Sequence, residues 1–224
     1  YVMKAAYDRG CHYIDFSVQG VALPDFEDRL CFPGCGVSPG LADLMVAELA
    51  GEGSASLDIE VAVGAIPARR TNRLGYSLIW NLDGLYTEYT SPCEAIRDFE
   101  NVEVPPLSNL SKIIIGDAEY ESFCTSGIVN SVASFSQKNI RTLTCSTIRY
   151  PGHLDYMQLL LDDLGLRNRR DLLRTVLQNG LGEAEQDVVL LYATSRPADG
   201  EDHSRKIIIR IAGGSELGNA LAVG

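Results

Sequence analysis

Apolar and polar positions alternate most clearly at Leu57, Ile59, Val61 and Val63, interleaved with Asp58, Glu60, Ala62 and Gly64. A period of two predicts a half-buried strand. The same reading predicts short strands at Leu85–Tyr89, Glu94–Phe99, Lys112–Ile115 and Glu119–Phe123, and a long Thr-rich one at Ile140–Arg149. Val188–Thr194 and Lys206–Ile211 read as a hairpin around the polar turn Pro197–Asp202. Helical spacing takes over elsewhere. Val2, Ala5 and Ala6 share one side of a helix stopped by Gly10, and Leu41, Leu44, Met45 and Leu49 form a stripe ending at Gly51. For the second of these, Ser38 is the expected N-cap and Pro39 the first helical residue. A helix is expected over Asn72–Asp83, carrying Trp80, and a short one over Gly127–Ser134. Pro151-Gly152 opens a helix with Leu154, Met157, Leu160, Leu161 and Leu164 on its apolar stripe, ended by Gly165. Arg167–Arg174 reads as a solvated helix start, and periodicity fades over Gly213–Gly224.

The order of these elements divides the chain. Helix, Gly10 and a strand over His12–Phe16, ending near Asp15, make the closing unit of a parallel α/β sheet, but no G-x-G-x-x-G loop is present to hold a dinucleotide pyrophosphate. Residues 1–50 are therefore expected to be the C-terminal remnant of a nucleotide-binding domain plus a hinge helix. Residues 51–224 are expected to form a second, α+β domain, a mixed β-sheet with flanking helices.

Charge narrows the partners. Lys and Arg total 19 against 30 Asp and Glu, a net charge of −11, whereas nucleic acid binding needs a basic stripe. No apolar run is long enough for a membrane helix and no basic, apolar leader is visible, so neither nucleic acid nor membrane is expected as a partner. Six cysteines without C-x-x-C spacing point to free thiols in a reducing cytoplasm. Cys11, His12, Cys31 and Cys35 are set aside as a metal set, because neighbours on a strand point to opposite faces.

Two segments carry chemistry. In Thr147-Ile148-Arg149-Tyr150-Pro151-Gly152-His153 a strand delivers Arg149 and Tyr150 to a turn, and His153 starts a helix. Arg149 could bind a carboxylate through its planar fork, and a helix N-terminus holds His153 toward its neutral form, suited to proton transfer. A surface arginine and a turn-capping histidine are the plainer alternatives. On the strand leading to Gly127, Glu121, Phe123 and Thr125 fall on one wall, where Glu121 would meet a substrate ammonium or a cross-strand cation. The helix start behind Ser38 could face an anion, or simply be a well-capped core helix.

Six segments then occur in a recognisable order: Cys35-Gly36-Val37-Ser38-Pro39-Gly40-Leu41, Val63-Gly64-Ala65-Ile66-Pro67, Leu74-Gly75-Tyr76 to Trp80, Tyr86-Thr87-Glu88-Tyr89, Glu121-Ser122-Phe123 to Gly127, and Ile148-Arg149-Tyr150-Pro151-Gly152-His153. Together they resemble the saccharopine dehydrogenase family, in particular its lysine 6-dehydrogenase-like branch, over about Tyr1 to Ile211. The resemblance implies the substrate-binding and dimerisation domain of an oxidoreductase that uses NAD or NADP at the C–N bond of an amino acid such as lysine. It implies His153 and Arg149 as catalytic residues, with Trp80, Glu121, Thr125, Arg149 and Tyr150 around the substrate. Asp15, Phe16, Gly36 and Ser38 would lie toward the cofactor, with no metal and a homodimer as the assembly. Glutamate-forming saccharopine reductases carry an Asp where Ser38 stands and an Arg near Thr125 or Ser126. The absence of that Arg favours a substrate with fewer carboxylates. Saccharopine oxidation (glutamate- or lysine-forming), imine reduction and a non-catalytic ligand-binding or dimerisation module are the alternative readings.

Overall fold

The computed structural model describes residues 2–16, 29–51, 53, 55–78, 81–136, 139–199 and 203–212. The chain opens with α1 (Val2–Asp8), followed by β1 (Tyr13–Ile14) and β2 (Cys31–Phe32), a short parallel pair. Met3 and Tyr13 bury one side of this unit. Its other face leaves Ile14 and Phe32 exposed.

Next come α2 (Leu41–Ala50), β3 (Leu57–Pro67), α3 (Leu82–Thr90), β4 (Cys93–Arg97), β5 (Glu100–Val104), β6 (Ser111–Ile115), β7 (Ala118–Cys124) and β8 (Ile140–Arg149). The chain continues through α4 (His153–Gln158), α5 (Arg170–Gly180), β9 (Asp187–Pro197) and β10 (Arg205–Ala212). Among the described residues, eight of these strands form one mixed sheet in the order β10-β9-β3-β8-β4-β5, with β7 also on β8 and β6 on β7. β3 runs parallel to β8 and antiparallel to β9, which places it near the centre. Centrality explains a departure from the expected pattern. β3 is buried on both faces along its second half, Ile59, Val61 and Val63 toward α2 and Ala62 and Ile66 toward the β6–β7 hairpin. Gly64 is required where β3 passes β8, since a Cβ there would lie 2.3 Å from the Ile148 carbonyl oxygen.

α2, grouped with the first fifty residues in the sequence reading, packs onto this sheet. Ala42, Met45, Val46 and Leu49 bury against β3, β8 and β9, each large side chain contributing about 1.5–3 kcal/mol. Ile207, Ile209 and Ile211 of β10 join the same cluster, so the apolar side of that edge strand is covered within the chain. The cap of α2 is Gly40, not Ser38: Asp43 accepts from the Gly40 N–H at 2.7 Å, and the Ser38 hydroxyl instead donates to the Ile128 carbonyl at 2.8 Å. The long strand Ile140–Arg149 and the β9–β10 hairpin lie where the alternation put them, although residues 200–202 of the turn fall outside the described residues.

The largest correction covers residues 72–90. The expected helix is replaced by a turn in which the Asn72 side chain accepts from the Gly75 N–H and donates to the Tyr76 carbonyl, competing with helical bonding. Gly75 there has φ +65° beside the Tyr150 ring. The helix begins later, on the Asn81 cap, and absorbs the expected strand Leu85–Tyr89 because Leu85 and Tyr89 share one buried face. Between Gly127 and Ser134 only a single tight turn, Val132–Phe135, is helical. The expected strand Glu94–Phe99 is β4 up to Arg97; Asp98 and Phe99, with positive φ, form the turn into β5, which completes a hairpin. Arg170 and Arg174 at the start of α5 are both drawn to Asp83 of α3.

Candidate functional site

β7 and β8 are antiparallel neighbours with Glu121 opposite Arg149 and Phe123 opposite Thr147. Alternation brings all four side chains to one face, the side on which α3 and α4 pack. α3 contributes Glu88 and Tyr89, the turn before it contributes Tyr76, and His153 is the first residue of α4. Helix packing, strand register and the Pro151-Gly152 turn thus converge on one buried polar cluster.

Arg149 is only 3% exposed, and its fork is committed inside the protein. Its Nε donates to the Tyr89 hydroxyl at 2.7 Å, Nη1 to the Ile148 carbonyl at 2.9 Å, and Nη2 to Glu88 at 3.4 Å. The guanidinium also sits 5.5 Å from the Tyr76 ring centre and 5.6 Å from that of Tyr89. His153 is fully buried and stacks on Phe123. Its Nδ1 lies 2.8 Å from the Leu74 carbonyl and its Nε2 2.9 Å from the Tyr89 hydroxyl. A carbonyl only accepts, so Nδ1 carries the proton and Nε2 accepts from Tyr89. The polarity of the whole chain follows: Arg149 donates to Tyr89, Tyr89 donates to His153, and His153 donates to Leu74.

Electrostatics agree with that order. Burial, reinforced by the Arg149 charge, pushes the His153 pKa down to about 3, so the imidazole is neutral. Burial lifts Tyr76 to about 12 and Tyr89 well above its ordinary value. Glu88 is raised by burial, with the Arg149 charge and the Thr125 and Thr147 hydroxyls opposing the rise. Arg149 remains charged, because Tyr89 and Glu88 outweigh its own desolvation.

The other expected site residues divide. Glu121 is engaged within the chain: its two oxygens accept the N–H groups of Leu154 at 2.6 Å and Gly152 at 2.7 Å, capping α4. Tyr150 points to the opposite face of the sheet, where its hydroxyl donates to the Pro67 carbonyl and its ring packs on Tyr120. Trp80 lies outside the described residues. Asp15 and Phe16 follow β1 at the carboxyl end of the small parallel pair, with the Tyr13 hydroxyl donating to Asp15 at 2.5 Å. Gly36 bridges to Gly40 in the loop before α2. Glu88, Tyr89 and Tyr76 had no role in the sequence reading, although all three lie in the ordered segments that carry the family resemblance.

Thr125 marks where this cluster meets open space. It lines a cavity of about 230 Å³ together with Glu94, Ser126, Ile128, Asn130 and Cys145. Its hydroxyl is sealed from the cavity and faces Glu88, whose carboxyl it helps to lower. The next residue fastens the wall to α3, the Ser126 N–H donating to the Glu88 carbonyl at 3.1 Å. Two lining residues are tied to the loop from β2 to α2: Ser38 donates to the Ile128 carbonyl, and Asn130 donates to the Gly34 carbonyl at 3.1 Å. A second recess, between α3 and α5, encloses about 10 Å³ and has room for no more than a water.

Comparison with known proteins gives a consistent result. Residues 36–220 match the family model described as the saccharopine dehydrogenase C-terminal domain. Among solved structures, the fold is similar to that of the apo, histidine-tagged saccharopine dehydrogenase (L-Glu forming) from Saccharomyces cerevisiae. That superposition has a TM-score of 0.76 at 14% identity and covers 99% of this chain and 71% of the yeast chain.

Proposed function

Because this chain belongs to the saccharopine dehydrogenase C-terminal domain family, we propose that it is the substrate-side domain of an NAD(P)-linked oxidoreductase acting at the C–N bond of a small amino acid such as lysine. One observation carries the location of the substrate: a cavity of about 230 Å³ at the end of β7, lined by Thr125 and Ser126, with Ile128 and Asn130 of its wall bonded to the β2–α2 loop. The volume is below the roughly 300–1,000 Å³ of pockets that take drug-sized molecules and suits a small polar one.

Arg149 and His153 act in this reading as positioning residues. Their hydrogen bonds are taken up by Tyr89, Glu88, Ile148 and Leu74. They hold α3 against β8, and through Glu88 they hold the strand end bearing Thr125 and Ser126. Of the residues expected around the substrate, Thr125 is the one that lines the cavity.

The cofactor side fits in part. Ligands of parallel α/β sheets lie beyond the carboxyl ends of the strands, and Asp15 and Phe16 follow that end of β1, with Phe16 60% exposed. These two, with Gly36 and Ser38, are the residues assigned to the nicotinamide end. NAD or NADP, when bound, supplies the hydride chemistry; the chain's own part is to bind and orient the amino acid.

The test is a titration of the isotopically labelled chain with L-lysine. The amide signals of Thr125, Ser126, Ile128 and Val132, all lining residues, should shift and saturate. Shifts confined to other parts of the chain would place the amino-acid site elsewhere.

A further inference from the structure

The cavity and the strand end at Asp15 belong to different parts of the fold, yet one peptide unit joins them. Asn130 lines the cavity, and its side-chain amide donates to the Gly34 carbonyl at 3.1 Å. The N–H of the next residue, Cys35, donates to the Asp15 carbonyl at 2.8 Å. That carbonyl and that N–H are the two ends of a single planar trans peptide and point in opposite directions. The unit is therefore a rigid connector, gripped by the cavity wall on one side and by the strand end on the other. The grip is close: Gly34 has φ +67°, and a Cβ there would overlap the Asn130 side-chain oxygen. Asn130 is itself anchored, its N–H donating to one oxygen of Asp43 at 2.9 Å while the other oxygen accepts from Gly40 at 2.7 Å. Asp43 belongs to α2, which is packed on the sheet, so the wall is held against a fixed body.

We propose that Asn130 is a positioning residue that couples the two ends of the site: through the Gly34–Cys35 peptide it makes the order of the strand end at Asp15 depend on whether the cavity is occupied. This rests on the reading of the cavity as the amino-acid site and of Asp15 and Phe16 as the nicotinamide end. A ligand that holds the Asn130 side chain still also holds the peptide it grips, and with it the carbonyl of Asp15. The coupling runs both ways, because the effect of one bound ligand on the affinity for another is reciprocal. The other ties between wall and loop do not serve this purpose. Ser38 and Gly40 are bonded to Ile128 and Asp43 on the α2 side of the loop, and neither belongs to the peptide that reaches Asp15.

The experiment follows the Cys35 amide in the isotopically labelled chain, in Asn130→Ala and in Ser38→Ala. Asn130 is exposed, so its replacement should leave the thermal midpoint and the exchange of β3 and β9 amides unchanged. Without ligand, the Cys35 N–H should exchange about three- to tenfold faster in Asn130→Ala, the size of one hydrogen bond's net contribution, and at nearly the unsubstituted rate in Ser38→Ala. On titration of the unsubstituted chain with L-lysine, the Cys35 signal should move in step with those of Ile128 and Val132. In Asn130→Ala the wall signals should still respond and the Cys35 signal should not. Unchanged exchange at Cys35 in Asn130→Ala, or equal acceleration in Ser38→Ala, would overturn the assignment to Asn130, as would a lysine response at Cys35 that survives Asn130→Ala. A response at the wall with none at Cys35 in the unsubstituted chain would overturn the coupling and leave the amino-acid site standing. Lysine that moves no cavity signal would overturn the coupling and the substrate-site reading together.

Discussion

Replacing Arg149 with Met removes the only described cation bonded to Glu88, and the consequence can be worked out from the geometry. The pair is separated by 3.4 Å, with side chains 4% and 12% exposed, so solvent screens it little. Breaking a buried pair from one side costs about 3–5 kcal/mol, because the remaining charge stays desolvated. That is a large share of the roughly 5–15 kcal/mol that stabilises a domain. The loss should depend on pH. Glu88 already has a raised folded-state pKa, and without Arg149 it rises further. A folded carboxyl with a raised pKa holds its proton when the unfolded one has released it, so stability falls as pH rises through the window above the ordinary carboxylate value. The deficit of Arg149→Met relative to the unsubstituted chain should therefore be largest at pH 7 and shrink toward pH 5. His153 acts in the same direction, since removing the Arg149 charge lifts part of the pressure that keeps it neutral. Urea unfolding at pH 7 and pH 5 measures the two deficits, and Arg149→Met combined with Glu88→Gln should recover part of the loss at pH 7. A deficit independent of pH, with no recovery in the double variant, would refute the coupling.

Two further outcomes follow from the same cluster. His153, folded pKa about 3 against an ordinary 6.5, contributes stability that is complete above pH 6.5 and lost as pH falls toward 3, so His153→Gln should flatten the slope of the thermal midpoint across that interval. Glu121→Ala leaves the Gly152 and Leu154 N–H groups without their acceptor and should cost about 1–3 kcal/mol in urea unfolding, while Glu121→Gln, keeping one acceptor, should cost less.

Much of the sheet was legible because runs of β-branched and apolar residues bounded by turn residues are a local signal: Ile140–Arg149 and the β9–β10 hairpin lie where such runs put them. Residues 72–90 were not, because two asparagines decide the matter. Asn72 ties a turn with its side chain and Asn81 starts the helix, both outweighing the apolar spacing that pointed to a helix starting ten residues too early. The site was legible in its residue types and not in its pairings. Arg149 and His153 stand out in one heptapeptide, yet their partners Glu88 and Tyr89 lie sixty or more residues away. Glu121 was expected to meet a charge, and its helix start lies thirty-one residues downstream, a distance over which strand periodicity says nothing. The cavity is a property of packed loops, and only the placement of Thr125 on the wall with Glu121 and Phe123 hinted at it.

The central position of β3 also bears on how the chain assembles. Thr147 bonds Val63 across 84 residues, and on the other side Val61 lies opposite Ala193. Neither neighbour is close in sequence, so β3 leaves the ribosome as an apolar strand with both edges open and stays so until β8 and then β9 have been synthesised. Its parallel pairing with β8 requires closing a long loop before any contact compensates, a topology of high contact order and slow formation. During that interval α2, adjacent in sequence and apolar on the face that later covers β3, is the nearest shield the nascent strand has. Conditions that unfold α2 early should therefore favour aggregation of the growing chain over its loss of the finished fold.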